Sequence, residues 1–109
     1  MLYIKGNTIK LTRGDTAYLT VPIKSALGED YNLSAKDTLT LSVKESTSAT
    51  EYLFQKVLTG TNVFHIEPQD TASLPFGNYK YDIQLNTANG DVYTIIDVST
   101  FTIAEEVTS

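Results

Sequence analysis

The chain has 109 residues, enough for one domain with a single core. With 41% hydrophobic and 19% charged residues and no apolar run of membrane-spanning length, it is neither a membrane helix protein nor a charge-dominated disordered chain. Zero cysteines exclude disulfides, thiolate metal sites and thiol nucleophiles, and one histidine excludes His-pair chemistry. A net charge of −5 argues against nucleic acid and anionic membrane as partners, because phosphate binding needs clustered Lys and Arg.

The start of the chain, Met1 to Lys5, lacks a basic stretch followed by an apolar one, so no signal peptide is expected and the product is expected to stay in the cytoplasm that makes it. From there apolar residues recur with period two, the spacing that puts them on one face of a pleated strand. Ala17, Leu19, Val21 and Ile23 alternate with polar neighbours, as do Leu39, Leu41 and Val43, then Tyr79, Tyr81, Ile83 and Leu85, and finally Phe101 and Ile103. The pattern predicts strands at 7–12, 16–24, 38–44, 52–58, 62–67, 78–86 and 91–103, the last broken or bent near Asp97-Val98-Ser99. Each has one wet face, which favours antiparallel pairing.

Glycines punctuate these segments. Asn89-Gly90 predicts a tight hairpin in which both residues take positive φ. Pro22 cannot donate to a ladder and predicts an edge strand or a bulge. Helix signals are few: a capping-box pattern at Ser48-Ala49-Thr50-Glu51, and Pro68 opening a single turn through Ala72. The polar residues from Glu105 to Ser109 are expected to fray, with Glu105 and Glu106 able to guard an exposed strand edge. About seven short strands at this spacing predict an all-β, immunoglobulin-like, two-sheet antiparallel β-sandwich of one domain, with a closed barrel as the alternative.

The stretch from Asp70 to Tyr81 carries a more specific signal. Asp70, Gly77, Tyr79 and Tyr81 match the corner before the penultimate strand of immunoglobulin-like domains. There a Tyr near the strand start, here Tyr79, bonds back to the upstream turn, and the position two residues later, here Tyr81, faces inward. Arg13-Gly14-Asp15-Thr16, Tyr31-Asn32-Leu33, Leu39 to Val43, Asp70-Thr71-Ala72, Leu74-Pro75, Gly77 to Leu85, Gly90 to Thr94 and Phe101-Thr102-Ile103 follow one another in an order that resembles small phage and prophage proteins. These are similar to the immunoglobulin-like N-terminal module of upper baseplate proteins in phages of Gram-positive bacteria. The resemblance covers roughly residues 7–104 and is most specific from Asp70 to Leu85. It implies a non-enzymatic virion module of baseplate, tail or fibre, made in the host bacterial cytoplasm. The partners it implies are other phage structural proteins and a possible second copy, with no cofactor. The chain stops where such proteins continue into shaft or carbohydrate-binding regions, so the expectation is the module alone.

Several motifs have competing readings. Arg13-Gly14-Asp15 spells an integrin-binding tripeptide, but such a tripeptide arises by chance in roughly one or two per cent of chains this long. The structural reading gives Gly14 a positive φ and Asp15 a role in the turn. His65, between Phe64 and Ile66, is expected to face solvent with no partner nearby. Glu29, Asp30, Asn32 and Asp37 are oxygen-rich like a calcium loop but fit no EF-hand spacing. Seven tyrosines exceed what a small core absorbs, and Tyr18 and Tyr93 are the candidate interface residues. Outward threonines such as Thr20, Thr40, Thr94 and Thr102 read as β-propensity. Two alternatives to the virion module remain: a carbohydrate-binding module using outward tyrosines, and a glycosidase, which needs two carboxylates roughly 5–9.5 Å apart in a cleft.

Overall fold

The computed structural model describes residues 2–5, 7–23, 31 and 33–105. Among the described residues it is all-β, with one short helical turn. In chain order the elements are β1 (Leu2–Lys5), β2 (Thr8–Thr12), β3 (Ala17–Thr20), β4 (Thr38–Lys44), β5 (Phe54–Thr59), β6 (Val63–Ile66), α1 (Pro68–Thr71), β7 (Gly77–Asn86) and β8 (Val92–Ala104). Six strands form one sheet in the order β1-β2-β8-β7-β4-β5, and β3 and β6 form a second.

The period-two pattern locates the core. Ile9 and Leu11 of β2, Leu39, Leu41 and Val43 of β4, the odd positions Tyr79 to Leu85 of β7, and Phe101 and Ile103 of β8 are all buried on one face of the large sheet. Against them pack Ala17 and Leu19 of β3, Phe64 and Ile66 of β6, and the continuing alternate residues Val21 and Ile23. Each alternation therefore serves one shared core.

Pairing departs from the sequence-based expectation in four places. First, the large sheet is mixed, since β2 runs parallel to β8 with Ile9 opposite Phe101 and Leu11 opposite Ile103. Alternation sets which face a strand buries, but not the direction of its neighbour. No hairpin joins these two strands, so nothing local imposes antiparallel pairing. Second, Leu2–Lys5 forms a strand that the pattern did not predict, paired antiparallel with β2. Third, β3 ends at Thr20, before Pro22. The Val21 N–H still donates to Asn62 O at 2.9 Å, so residue 21 points toward β6 and Pro22 toward the unpaired side, where its missing N–H costs nothing. Residue 24, the expected end of this strand, lies outside the described residues.

Fourth, β8 runs unbroken through Asp97-Val98-Ser99, but its register against β7 slips twice. Tyr81 opposes Ser99, Ile83 opposes Ile96, and Gln84 opposes Thr94. Three residues of β8 match two of β7, then two match one, so β8 bulges at both steps. The bend expected there is taken up as extra residues instead of a break.

The hairpin at 87–91 is also corrected. Gly90 has φ 90°, while no described non-glycine residue has positive φ, so Asn89 stays in the ordinary region. Thr87 O accepts from Gly90 N at 3.0 Å and Thr87 N donates to Asp91 O at 2.8 Å. This is the three-residue loop in which an ordinary turn is followed by one left-handed glycine. Residues 45–53 form turns and bends, not the helix that Ser48 to Glu51 allowed. Helix α1 does open at Pro68 and closes with Ala72 N donating to Pro68 O at 3.1 Å.

Candidate functional site

The stretch from Glu67 to Tyr81 is a tightly tied corner. Asp70 accepts the Glu67 N–H at 2.8 Å, closing the first turn of α1, and also receives Lys56 Nζ at 2.7 Å. Thr71, fully buried, accepts the Gly14 N–H on its hydroxyl at 2.9 Å. Gly77 opens β7 with φ 147°. Tyr79 donates its hydroxyl to Pro75 O at 2.6 Å, and Tyr81 donates to Asn7 O across the core. Burial raises the pKa of both phenols, that of Tyr81 to about 12, because the charged form would lose its water; the charge of Glu45 adds a smaller push at Tyr79.

The Arg13-Gly14-Asp15 tripeptide belongs to the same corner. Gly14 has φ 81°, Asp15 N donates to Thr12 O at 3.1 Å, and Arg13 N donates to Ala104 O at 3.0 Å. The Arg13 guanidinium lies 4.2 Å from the centre of the Phe76 ring and reaches Leu74 O at 3.5 Å. An arginine stacked on the protein's own ring is a clasp between β2 and the corner, not an arm spread for a receptor.

Asp37 is a second closely engaged acid. Buried beneath the loops, its carboxylate accepts from Tyr31 OH at 2.8 Å and from the N–H groups of Ser34 and Ala88 at 3.0 Å each. These bonds, that of Ser34 first, hold its pKa down at about 2 despite burial, and the Tyr31 phenol is raised by the same contact. All this accounts for Asp37 without an ion. Glu29, Asp30 and Asn32 of the calcium-loop reading lie outside the described residues. Among the described residues no group of three His, Asp or Glu side chains could hold a metal.

The two candidate interface tyrosines do not share a surface. Tyr18 lies on the outer face of β3, 63% exposed, and stacks on His65 of β6 with ring centres 4.6 Å apart and planes 9° from parallel. His65 therefore has a neighbour after all, because cross-strand pairing sets it opposite Tyr18. Its Nδ1 also lies 3.9 Å from a Glu67 carboxylate oxygen. Tyr93 opposes Leu85, on the core side of the large sheet, yet is 54% exposed.

The outward face of β4, β5 and β7 forms a shallow depression of about 370 Å³ that the sequence reading did not single out. Its floor is polar: Thr40 and Ser42 from β4, Gln55 from β5, and Asp82, Gln84 and Asn86 from β7. Gln55 Nε2 donates to Ser42 Oγ at 2.9 Å. At one end Lys44 and Lys80 stand directly opposite each other, with Tyr52 beside them. Lys44 Nζ lies 4.9 Å from the centre of the Tyr52 ring and Lys80 Nζ 3.4 Å from Thr100 Oγ1. Among the described residues Asp82 is the one carboxylate in the lining, where glycoside hydrolysis takes a pair. The alternation that marked these positions as outward was visible in the sequence; their meeting across three strands was not.

Comparison with known proteins found no matching family model, no matching curated protein and no matching solved structure.

Proposed function

We propose that the chain is an immunoglobulin-like β-sandwich serving as a non-enzymatic structural or adaptor module of a phage or prophage particle, working through protein contacts. The observation that carries this reading is the corner: the run from Asp70 to Leu85, which bears the sequence resemblance, places the Tyr79 hydroxyl on Pro75 O at the entry to β7. The sheet order supports it, with β2 alongside the last strand and the β3–β6 pair facing across the core. The strongly shifted groups, Asp37 and Tyr81, are engaged in holding loops and strands together. What the module offers a partner is surface and strand edge, and β3, β6, β1 and β5 each have a free side among the described residues.

The test is co-expression with the products of whichever genes neighbour its own, followed by size-exclusion chromatography with light scattering. A complex of fixed stoichiometry, or a concentration-dependent oligomer, is expected. A monomer at every concentration that binds none of them overturns the reading. A second reading, attachment to host-surface carbohydrate, is favoured by the polar depression on β4, β5 and β7.

A further inference from the structure

The lysine pair on the depression is the least explained feature of the molecule. The chain carries thirteen acidic residues against eight Lys and Arg. Even so, Lys44 and Lys80 occupy directly opposed positions on neighbouring strands, an arrangement in which like charges repel. Lys56 shows what a structural lysine does here, closing on Asp70 at 2.7 Å. Neither Lys44 nor Lys80 has such a carboxylate partner among the described residues; Lys44 rests over the Tyr52 ring toward β5 and Lys80 on the Thr100 hydroxyl of β8, so the two ammonium groups lean apart over the strand pair and a shared anion would draw them together. Asp82, two residues beyond Lys80 on the same face, is the only negative group among the described residues lining the depression.

The rest of the depression narrows the ligand. Its floor consists of hydroxyl and carboxamide side chains, which both donate and accept. Apart from Tyr52 and Tyr81, the lining has one apolar residue, Val98, so there is no apolar pocket to seat peptide side chains. Both β4 and β7 are paired on each side, so the backbone beneath the lysine pair has no free edge to which a peptide strand could add. Asp82 and the net charge of −5 disfavour a polyanion such as nucleic acid. A chain of hydroxyls with an isolated negative charge fits, and Tyr52, 52% exposed, offers a ring for a sugar to lie against.

We propose that this face binds an acidic oligosaccharide, with Lys44 and Lys80 together holding its carboxylate or phosphate and the Ser42, Gln55 and Gln84 side chains its hydroxyls. The inference rests on the carbohydrate reading, not on the adaptor reading, and each can fail without the other. The direct experiment is an array of neutral, uronate-bearing and phosphate-bearing oligosaccharides probed with the whole chain, followed by calorimetry on the best ligand. Retention of uronate or phosphate glycans over their neutral counterparts is expected, and the two acidic arms show which anion is preferred. Lys80→Gln and Lys44→Gln should each weaken binding at least tenfold, while Thr20→Ala, on the outer face of the other sheet, should leave it unchanged. Thermal melts separate site from scaffold: removing one of two repelling charges should leave Tm unchanged or raised. A blank array, equal binding of neutral glycans, or lysine variants that bind like the wild type overturns the proposal. Lysine variants that melt well below the wild type overturn it equally, since the pair would then be structural.

Discussion

Tyr79 donates its hydroxyl to the carbonyl oxygen of Pro75, four residues upstream and 2.6 Å away, so the first turns of β7 are tied to the loop that delivers them. The ring is buried while Pro75 is exposed, so the carbonyl can take water if the hydroxyl is removed. Tyr79→Phe should therefore cost about 1 kcal/mol, or roughly 4–8 °C in Tm. Urea melts should show a lower midpoint with an unchanged m-value.

Gly14 and Thr71 meet 57 residues apart in sequence, and each depends on the other. Thr71→Val keeps the shape but leaves the Gly14 N–H without its acceptor, at about 1–2 kcal/mol. Gly14→Ala forces a side chain to φ 81°, at about 1–2 kcal/mol. Since both variants disturb one contact, the double variant should lose less than the sum by at least about 0.5 kcal/mol. Strict additivity would show that Gly14→Ala acts through backbone strain alone and leaves the bond to Thr71 undisturbed.

Acid should act through Asp37. Its pKa lies at about 2 in the folded chain, below the ~3.9 of an unfolded Asp, so its contribution to stability is complete above pH ~4. That contribution is lost as pH falls from there through about 2. Asp37→Asn, which cannot accept all three donors equally well, should be less stable than the wild type at pH 7, and the gap should close over the same interval. Urea melts at pH 7, 4, 3 and 2 measure it; a gap independent of pH counts against the carboxylate as the cause.

Alkali should act through Tyr81. Burial raises its pKa to about 12, above the ~10 of an unfolded Tyr, so the neutral phenol stabilises the fold below pH ~10. This stabilisation is lost as pH rises toward 12. In a spectrophotometric titration the Tyr81 phenol should ionise only as a last step, when near-ultraviolet dichroism collapses. Tyr81→Phe should remove that last step.

Lys56 sits on the edge strand β5 at an inward position otherwise suited to an apolar residue, between Phe54 and Leu58. An inward charge on an edge strand blocks a second chain from pairing there. Lys56→Leu should therefore raise the apparent mass with concentration more steeply than the wild type in light scattering. Identical mass profiles would mean that the charge does not protect the edge.

Much of the strand layout was legible in the sequence because side-chain alternation is a local property. Leu39 to Val43 and Tyr79 to Leu85 declare their buried faces without reference to any other strand, and Asp70 to Tyr79 spell out a corner in which the bonds from Glu67 to Asp70 and from Tyr79 to Pro75 are local. Pro22 announced an edge for the same reason. What only the tertiary structure decided is what meets across the chain: the parallel course of β2 beside β8, the pairing of Leu2–Lys5, the Tyr18–His65 stack, and the three donors on Asp37, one of them 51 residues away. The facing of Lys44 and Lys80 belongs here too. Alternation sets the face a residue occupies, but register and strand direction depend on contacts between distant segments, and those contacts choose each residue's neighbours.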